Sequence, residues 1–290
     1  MAAGPTTRRR QLGAELRRLR RRKKMSLEEA GEAVGVSRAT IHRYEGNQGP
    51  VRWVIVEALC RVYDAAEAES AAVIALAKTV RVQGWWKAYA DAIPDWITPL
   101  ITLEDEAAEE WHWANTYVPG ILQTRAYASA VIQASEMRAG DDDIARMVDV
   151  RMARQDILKR DHPPHLWAIV DEGALMRRVG GYAVMAEQME HLVISTQSPH
   201  VTLQVLPYSA GAHPADSTGF VVIKNLDPTL DVVHLSNRSG ALYLEKPVEL
   251  ETHRLVFEYL RSQALSATQS SEMIAGLGEK FATEAREERS

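Results

Sequence analysis

The sequence predicts two domains of different class. An all-α bundle stands at the N-terminus, and an α+β domain with a mainly antiparallel sheet follows it. Three observations carry this expectation. The chain has 290 residues, more than one small module uses. Apolar residues near the N-terminus recur at helical steps, beginning with Leu12, Leu16 and Leu19. In the C-terminal half, "VTLQVLP", "GFVVIKN", "DVVHLSN" and "ALYLEK" are successive short strand-like runs parted by turn residues.

Leu12, Leu16 and Leu19 give the first helix one apolar face, and its other faces are rich in Arg. Next comes "KMSLEEAGEAVGVS", where Ser26 precedes a helical run and Glu29 follows three residues later, the capping-box spacing. Leu27, Ala30 and Val34 form the buried stripe of this second helix. Gly31 lets another helix cross closely, and Gly35 supplies the left-handed residue that ends the helix. Ser37 caps a third helix, whose inward residues are Ile41 and Tyr44. Two short helices joined by a tight glycine turn make a helix-turn-helix. "VRWVIVEALCRVYDA" completes the bundle with Trp53, Val56, Leu59, Cys60 and Tyr63 at helical spacing.

Charge is segregated along the chain. Residues 1–78 hold 15 basic and 9 acidic side chains, and the rest hold 19 basic and 30 acidic. The net charge of −5 therefore hides a basic N-terminal part, the pattern of a polyanion-binding region. The single cysteine, Cys60, excludes an intramolecular disulfide framework and fits a reducing compartment. No apolar run approaches the ~20 residues of a membrane span, and no signal peptide is legible. The expected location is cytoplasmic, on the nucleoid when bound to DNA.

"SLEEAGEAVGVSRATIHRYEGNQGP" resembles the repressor-type helix-turn-helix of phage repressors and of the xenobiotic-response-element (XRE) family, over about residues 10–66. Ala30, Gly35, Val36, Ser37, Ile41, Glu45, Gly46 and Pro50 carry the likeness together. It implies a lambda-repressor-like bundle that binds a double-stranded DNA operator. Arg38, Ala39 and Arg43 then fall at base-facing positions. Arginine can donate two hydrogen bonds to guanine, worth ~1–3 kcal/mol of discrimination. Ser37, Thr40, His42, Asn47, Gln48 and Arg52 fall at backbone or groove-edge positions, and Arg17, Arg18, Arg21 and Arg22 add sequence-independent attraction. The family often has Gln after the residue that caps its second helix, as a phosphate contact; Leu27 stands there in this chain.

Residues 64–82 are Ala- and Glu-rich and read as a helix leaving the bundle. The expected domains are residues 1–66 for DNA binding, 67–84 as a helical connector, and 85–290 as an effector- or partner-binding domain, with dimerisation falling either to the 64–82 helix or to the C-terminal helices. The 85–290 domain opens on an aromatic segment. Trp85, Trp86, Trp96, Trp111 and Trp113 read as bulky core, as a ligand pocket or docking surface, or as both. Tyr117, Gln123 and Arg125 join Trp85, Trp86, Trp111 and Trp113 as ligand or partner candidates. Glu104 and Glu109 read first as solvated surface charges and, as the alternative, as ion-pair partners of Arg125 around the aromatic segment. A Pro-Gly turn leads to a helix capped by Thr124, with Tyr127 and Val131 packing. Residues 141–160 form a charged helix, "HLWAIV" a buried strand, "DEGALMRRVGG" and "YAVMAEQMEHLVIST" two helices, and 248–264 and 270–287 two more.

The blocks "EDEAAEEWHWANTYVPGILQTRAYASAVI", "RMARQDIL", "DEGALMRRVGG", "AEQMEHLV" and "VTLQVLP" resemble the domain of unknown function DUF5753, from about Trp85 to about Leu277. The resemblance implies an actinobacterial regulator, often paired with a small DUF397-type protein. No catalytic constellation is legible. Two prolines separate His162 from His165 and prevent a helical metal pair, and turn chemistry accounts for His213, Asp216 and Ser217. No enzyme, metal or cofactor is expected. The expected function is sequence-specific transcriptional regulation by a homodimer whose second domain senses a small ligand or a small protein. The alternative is an antitoxin-like protein that sequesters a small partner and uses DNA binding for autoregulation.

Overall fold

The computed structural model describes residues 7–46, 51–79, 97–215, 218–226, 228, 231–238 and 240–290. The described residues through Leu103 belong to one compact unit and those from Glu104 onward to a second.

The first unit holds α1 (Thr7–Arg22), α2 (Leu27–Ala33), α3 (Arg38–Glu45), α4 (Trp53–Val62) and α5 (Glu67–Thr79). Its core is the one the apolar spacing predicts: Leu12, Leu16, Leu19, Ala30, Ile41, Tyr44, Val56, Leu59, Cys60 and Tyr63 are buried together. The local signals act as read. Ser26 and Glu29 close a reciprocal capping box, and Gly35 takes a φ of 69°. α5 lies in the span read as a connector, and its Val73 and Ala77 are buried in this same core.

The second unit is built on a six-stranded sheet of β1 (Glu109–Ala114), β2 (His165–Asp171), β3 (Val201–Leu206), β4 (Phe220–Lys224), β5 (Val232–Asn237) and β6 (Gly240–Leu244). The strand order is β3-β2-β1-β4-β5-β6. The sheet is mixed, which corrects the mainly antiparallel expectation. β1, β2 and β3 run parallel, while β1–β4, β4–β5 and β5–β6 are antiparallel. The connections give the reason. α7 (Arg125–Ser135) and α8 (Asp141–Gln155) lie between β1 and β2, and α9 (Glu172–Met176) and α10 (Tyr182–Ser195) between β2 and β3. Helical crossovers of that length return the chain parallel, whereas the short links after β4 reverse it.

Each sheet face has its own cover. Leu166, Ala168, Val170, Leu203 and Val205 form one core with residues of α10 and of α12 (Ala267–Glu287). On the opposite face, Trp111, Trp113, Ile169, Phe220, Val222 and Val233 pack with Phe257 and Leu260 of α11 (Pro247–Gln263). β1 is the strand that local patterning does not reveal. Its alternate residues Glu110 and His112 are polar, yet both are buried.

Candidate functional site

The candidate surface of the first unit is built on α3, which presents Arg38 and Arg43 beside the arginine-rich α1. Ser37 caps it by accepting from the Thr40 backbone N–H at 3.2 Å. Gly31 permits the close crossing of α2, since a β-carbon there would lie 2.6 Å from the Val36 carbonyl oxygen. A third constraint grips the far end of α3. Glu45 is buried, and Arg20 of α1 donates to its carboxylate from Nε at 2.5 Å and Nη2 at 2.7 Å. Arg17 donates to the Glu45 carbonyl at 2.9 Å. Ile41 and Tyr44 face inward, and Arg38, Ala39, His42 and Arg43 remain exposed. Capping, crossing and clamp thus fix one face of a short helix and leave the other to solvent.

The surrounding cations divide into two groups. Arg18 and Arg22 both donate to Glu69 of α5, at 2.8 Å and at 3.0 and 2.9 Å. These hydrogen bonds, with one from the Ala66 backbone, pull the Glu69 carboxyl down to about 2. The pairing therefore holds at any ordinary pH. Arg21 and Arg52 are exposed on the same unit. Arg38 lies 3.5 Å from Glu28, with both side chains about two-thirds exposed, so a ligand in solvent can displace that contact. Arg43 donates to Thr40 Oγ1 at 3.3 Å. Asn47 and Gln48 lie outside the described residues.

The residues singled out in the second unit separate on inspection. Trp85, Trp86 and Trp96 lie outside the described residues, as do Asp216 and Ser217. Trp113 is core. Gln123 is buried and tied into the fold, donating to the Val118 carbonyl at 2.7 Å and accepting from Arg151 at 2.8 Å. The ion pairs expected of Arg125 form elsewhere: Arg125 meets Asp149, Glu109 meets Lys224, and Glu104 meets Arg154. Tyr117 is exposed, with Arg177 over its ring. Trp111 stacks on Phe257 at 5.0 Å and carries Lys224 Nζ 4.4 Å from its ring centre. It also lines a half-open depression of about 330 Å³ at the start of β1, β2 and β3, with Glu109, His165, Trp167, His200 and Thr202.

Sequence reasoning missed a buried polar cluster beneath β1 and β5. Glu104, at the end of α6 (Thr98–Asp105), accepts from Arg154 Nε at 2.9 Å and Nη2 at 2.6 Å. Glu110 and His112 share a 2.8 Å hydrogen bond through Oε2 and Nε2. Glu110 Oε1 and His234 Nε2 are buried without a hydrogen-bond partner among the described residues. Burial pushes the Glu110 carboxyl up to about 8, against the pull of Arg154. Burial lowers His112 to about 4 and His234 to about 3. At neutral pH Glu110 is thus mostly a protonated donor to a neutral imidazole. No group of three or more His, Cys, Asp or Glu among the described residues is placed to hold a metal ion.

A pH dependence follows. Below pH 6.5 the unfolded histidines bind protons that the folded ones refuse, so stability rises with pH. From 4.5 to about 8 folded Glu110 keeps a proton that the unfolded chain has released, so its contribution falls as pH rises. Above pH 6.5 the histidine contributions are spent, and those of Glu110 and Glu104, both raised by burial, remain and fall as pH rises. Stability of the second unit is expected to peak at or below that pH and then fall by up to about 1.4 kcal/mol per pH unit for each of the two carboxyls. Denaturant midpoints followed across that range check this. Glu110→Gln should flatten the fall, and a fall identical in the variant would assign it to another group.

No helix among the described residues is long and apolar enough to cross a membrane. Residues 97–276 match the family described as a domain of unknown function, DUF5753, and residues 11–73 match the family described as a helix-turn-helix domain. No curated protein and no solved structure matches the chain.

Proposed function

Because the chain belongs to the DUF5753 family and carries a helix-turn-helix domain ahead of that region, we propose that it is a sequence-specific DNA-binding transcriptional regulator. One observation carries the reading. α3 is fixed at its cap, its crossing and its far end, while Arg38, Ala39, His42 and Arg43 stay exposed. A helix so held can enter a major groove without further ordering, with its first residues at the base edges. Arg38 and Arg43 read guanines, Ala39 meets a thymine methyl, and Ser37, Thr40, His42, Arg52 and Arg21 contact phosphate or groove edge. Eight residues of helix span few base pairs, so two copies on adjacent half-sites supply affinity and specificity.

The second unit sets the DNA affinity by binding a small ligand or a small partner protein of the DUF397 type. The depression lined by Trp111 and Trp167 supports the ligand form, since its volume of about 330 Å³ is at the low end for small-molecule sites. The protein acts by binding, without catalysis.

Selection from a random duplex pool, followed by titration of the enriched sequence, tests the reading. Arg38→Ala and Arg43→Ala are each expected to cost about 1–3 kcal/mol and to relax preference at one position. Arg21→Ala should weaken all sequences alike and reduce the salt slope by about one. A protein that enriches no sequence, or one whose preference survives both arginine changes, is not the reader described.

A further inference from the structure

Three of the large apolar side chains that remain exposed lie on one stripe of one helix. Val248, Leu255 and Tyr259 of α11 are 70%, 56% and 42% exposed. Steps of seven and four residues bring them within about 40° of one another around the helix axis. The stripe points away from Phe257, which is fully buried against the sheet. Thr252 and Ser262, both exposed, extend it.

One side of the helix beyond this stripe is charged in a particular order, Glu251, Arg254, Glu258, Arg261, with the two arginines turned further toward the sheet and the Arg261 guanidinium 4.8 Å over the Trp167 ring. The spacings are three, four and three. Read backwards, the same spacings hold and every sign is reversed. An antiparallel copy of the helix, related by a two-fold axis near Val256, therefore sets Glu251 opposite the partner subunit's Arg261. It also sets Arg254 opposite the partner subunit's Glu258. In an antiparallel pair each flank meets the same flank of the other helix, so all four contacts are attractive. In a parallel two-fold pair this flank would instead meet the other flank of the partner helix, and the four charges would find no complement across the interface. The other flank carries Thr252, Val256, Gln263 and one charge, Glu249, which the two-fold sets opposite the partner subunit's Gln263, so no like charges meet.

Within one copy the same groups pair three residues apart, Arg254 with Glu251 at 2.6 Å and Arg261 with Glu258 at 2.5 Å. These contacts are partly exposed and worth little alone. Guanidinium has donors to spare, so it can bridge to a second carboxylate without leaving the first.

We propose that the outer face of α11 is a two-fold interface between copies of this chain, closed by the Val248–Leu255–Tyr259 stripe and registered by the four charges. Self-complementary charge order is what an isologous contact requires, and an unrelated partner has no need of it. The surface is argued from the second unit alone; its use in spacing two half-sites rests on the DNA-binding reading.

Sedimentation velocity on the full chain, across a range of concentrations, tests the interface. The unaltered protein should dimerise. Leu255→Glu should abolish the dimer. Two charge variants guard against misfolding as the cause: Glu251→Arg with Glu258→Arg, and Arg254→Glu with Arg261→Glu. Each alone should be monomeric, and mixing them should restore a one-to-one heterodimer, which only folded chains can form. A wild type that stays monomeric throughout overturns the proposal. So does a dimer indifferent to these changes, or a pair of charge variants that fail to recombine. A dimer that passes every test but enriches no DNA sequence would remove the regulator reading and leave the interface standing.

Discussion

Replacing Arg154 with methionine is expected to destabilise the second unit by about 3–5 kcal/mol, the usual cost of removing one partner from a buried ion pair. The size follows from what is left behind. Glu104 is 2% exposed, and both of its oxygens accept from the same guanidinium. Without Arg154 that carboxylate keeps no guanidinium hydrogen bond: Glu110 and His112 offer no positive charge at neutral pH, and Arg151 acts on it only through space while donating to Gln123. It must either remain charged without a partner or take up a proton, and both options weaken the fold at pH 7. Adding Glu104→Gln should recover much of the loss, because an amide is far cheaper to bury than a lone charge. Hydrogen exchange of β1 and β5 amides measures the effect where it arises. If the single change costs under about 1 kcal/mol, or the double variant is no better than the single, the pair does not hold the sheet as described.

That cluster also shows why part of the fold was legible and part was not. Ser26 with Glu29, and Gly35 with Ser37, act across three or four residues, so sequence spacing displays them directly. The apolar steps Leu12, Leu16 and Leu19 are of the same local kind. β1 gives the opposite signal. In "EEWHWA" the indoles pack on one face, while Glu110 and His112 occupy the other, which is equally buried. A strand that buries polar groups on one side does not alternate as a half-exposed strand does. Recognising it needs Arg154, 44 residues beyond Glu110 in the chain, whose charge acts on that buried carboxyl. With β1 unseen, the parallel half of the sheet had no visible nucleus. The arginines of α1 make the same point at the candidate site. Their basic character is plain in the sequence, but Glu69, 47 residues after Arg22, draws Arg22 and Arg18 into ion pairs. Arg21 beside them remains exposed.

The helix-turn-helix allows the second large effect to be separated from ordinary glycine loss. Gly31→Ala is expected to destabilise the first unit by about 3 kcal/mol, the upper end of overpacking costs, and to abolish specific DNA binding. A β-carbon at this position would lie 2.6 Å from the Val36 carbonyl oxygen, 3.2 Å from the Ser37 carbonyl carbon and 3.3 Å from the Arg38 nitrogen. All three are backbone atoms of the turn and the start of α3, so no side chain can swing aside to make room. The turn itself depends on this approach, because the Val36 N–H donates to the Gly31 carbonyl at 2.9 Å. Relief requires α3 to move off α2, which would carry Arg38 and Arg43 out of their shared orientation. Gly35 provides the control. A β-carbon there meets nothing within 4 Å, and only its φ of 69° disfavours a side chain. Gly35→Asn should therefore cost a fraction of what Gly31→Ala costs, since asparagine tolerates the left-handed region. Thermal unfolding and duplex titration of both variants make the comparison. Equal losses at the two glycines would mean that backbone conformation, rather than the closeness of α2 and α3, limits this turn. Unfolding and binding unchanged by Gly31→Ala would mean that the helices do not cross at contact distance.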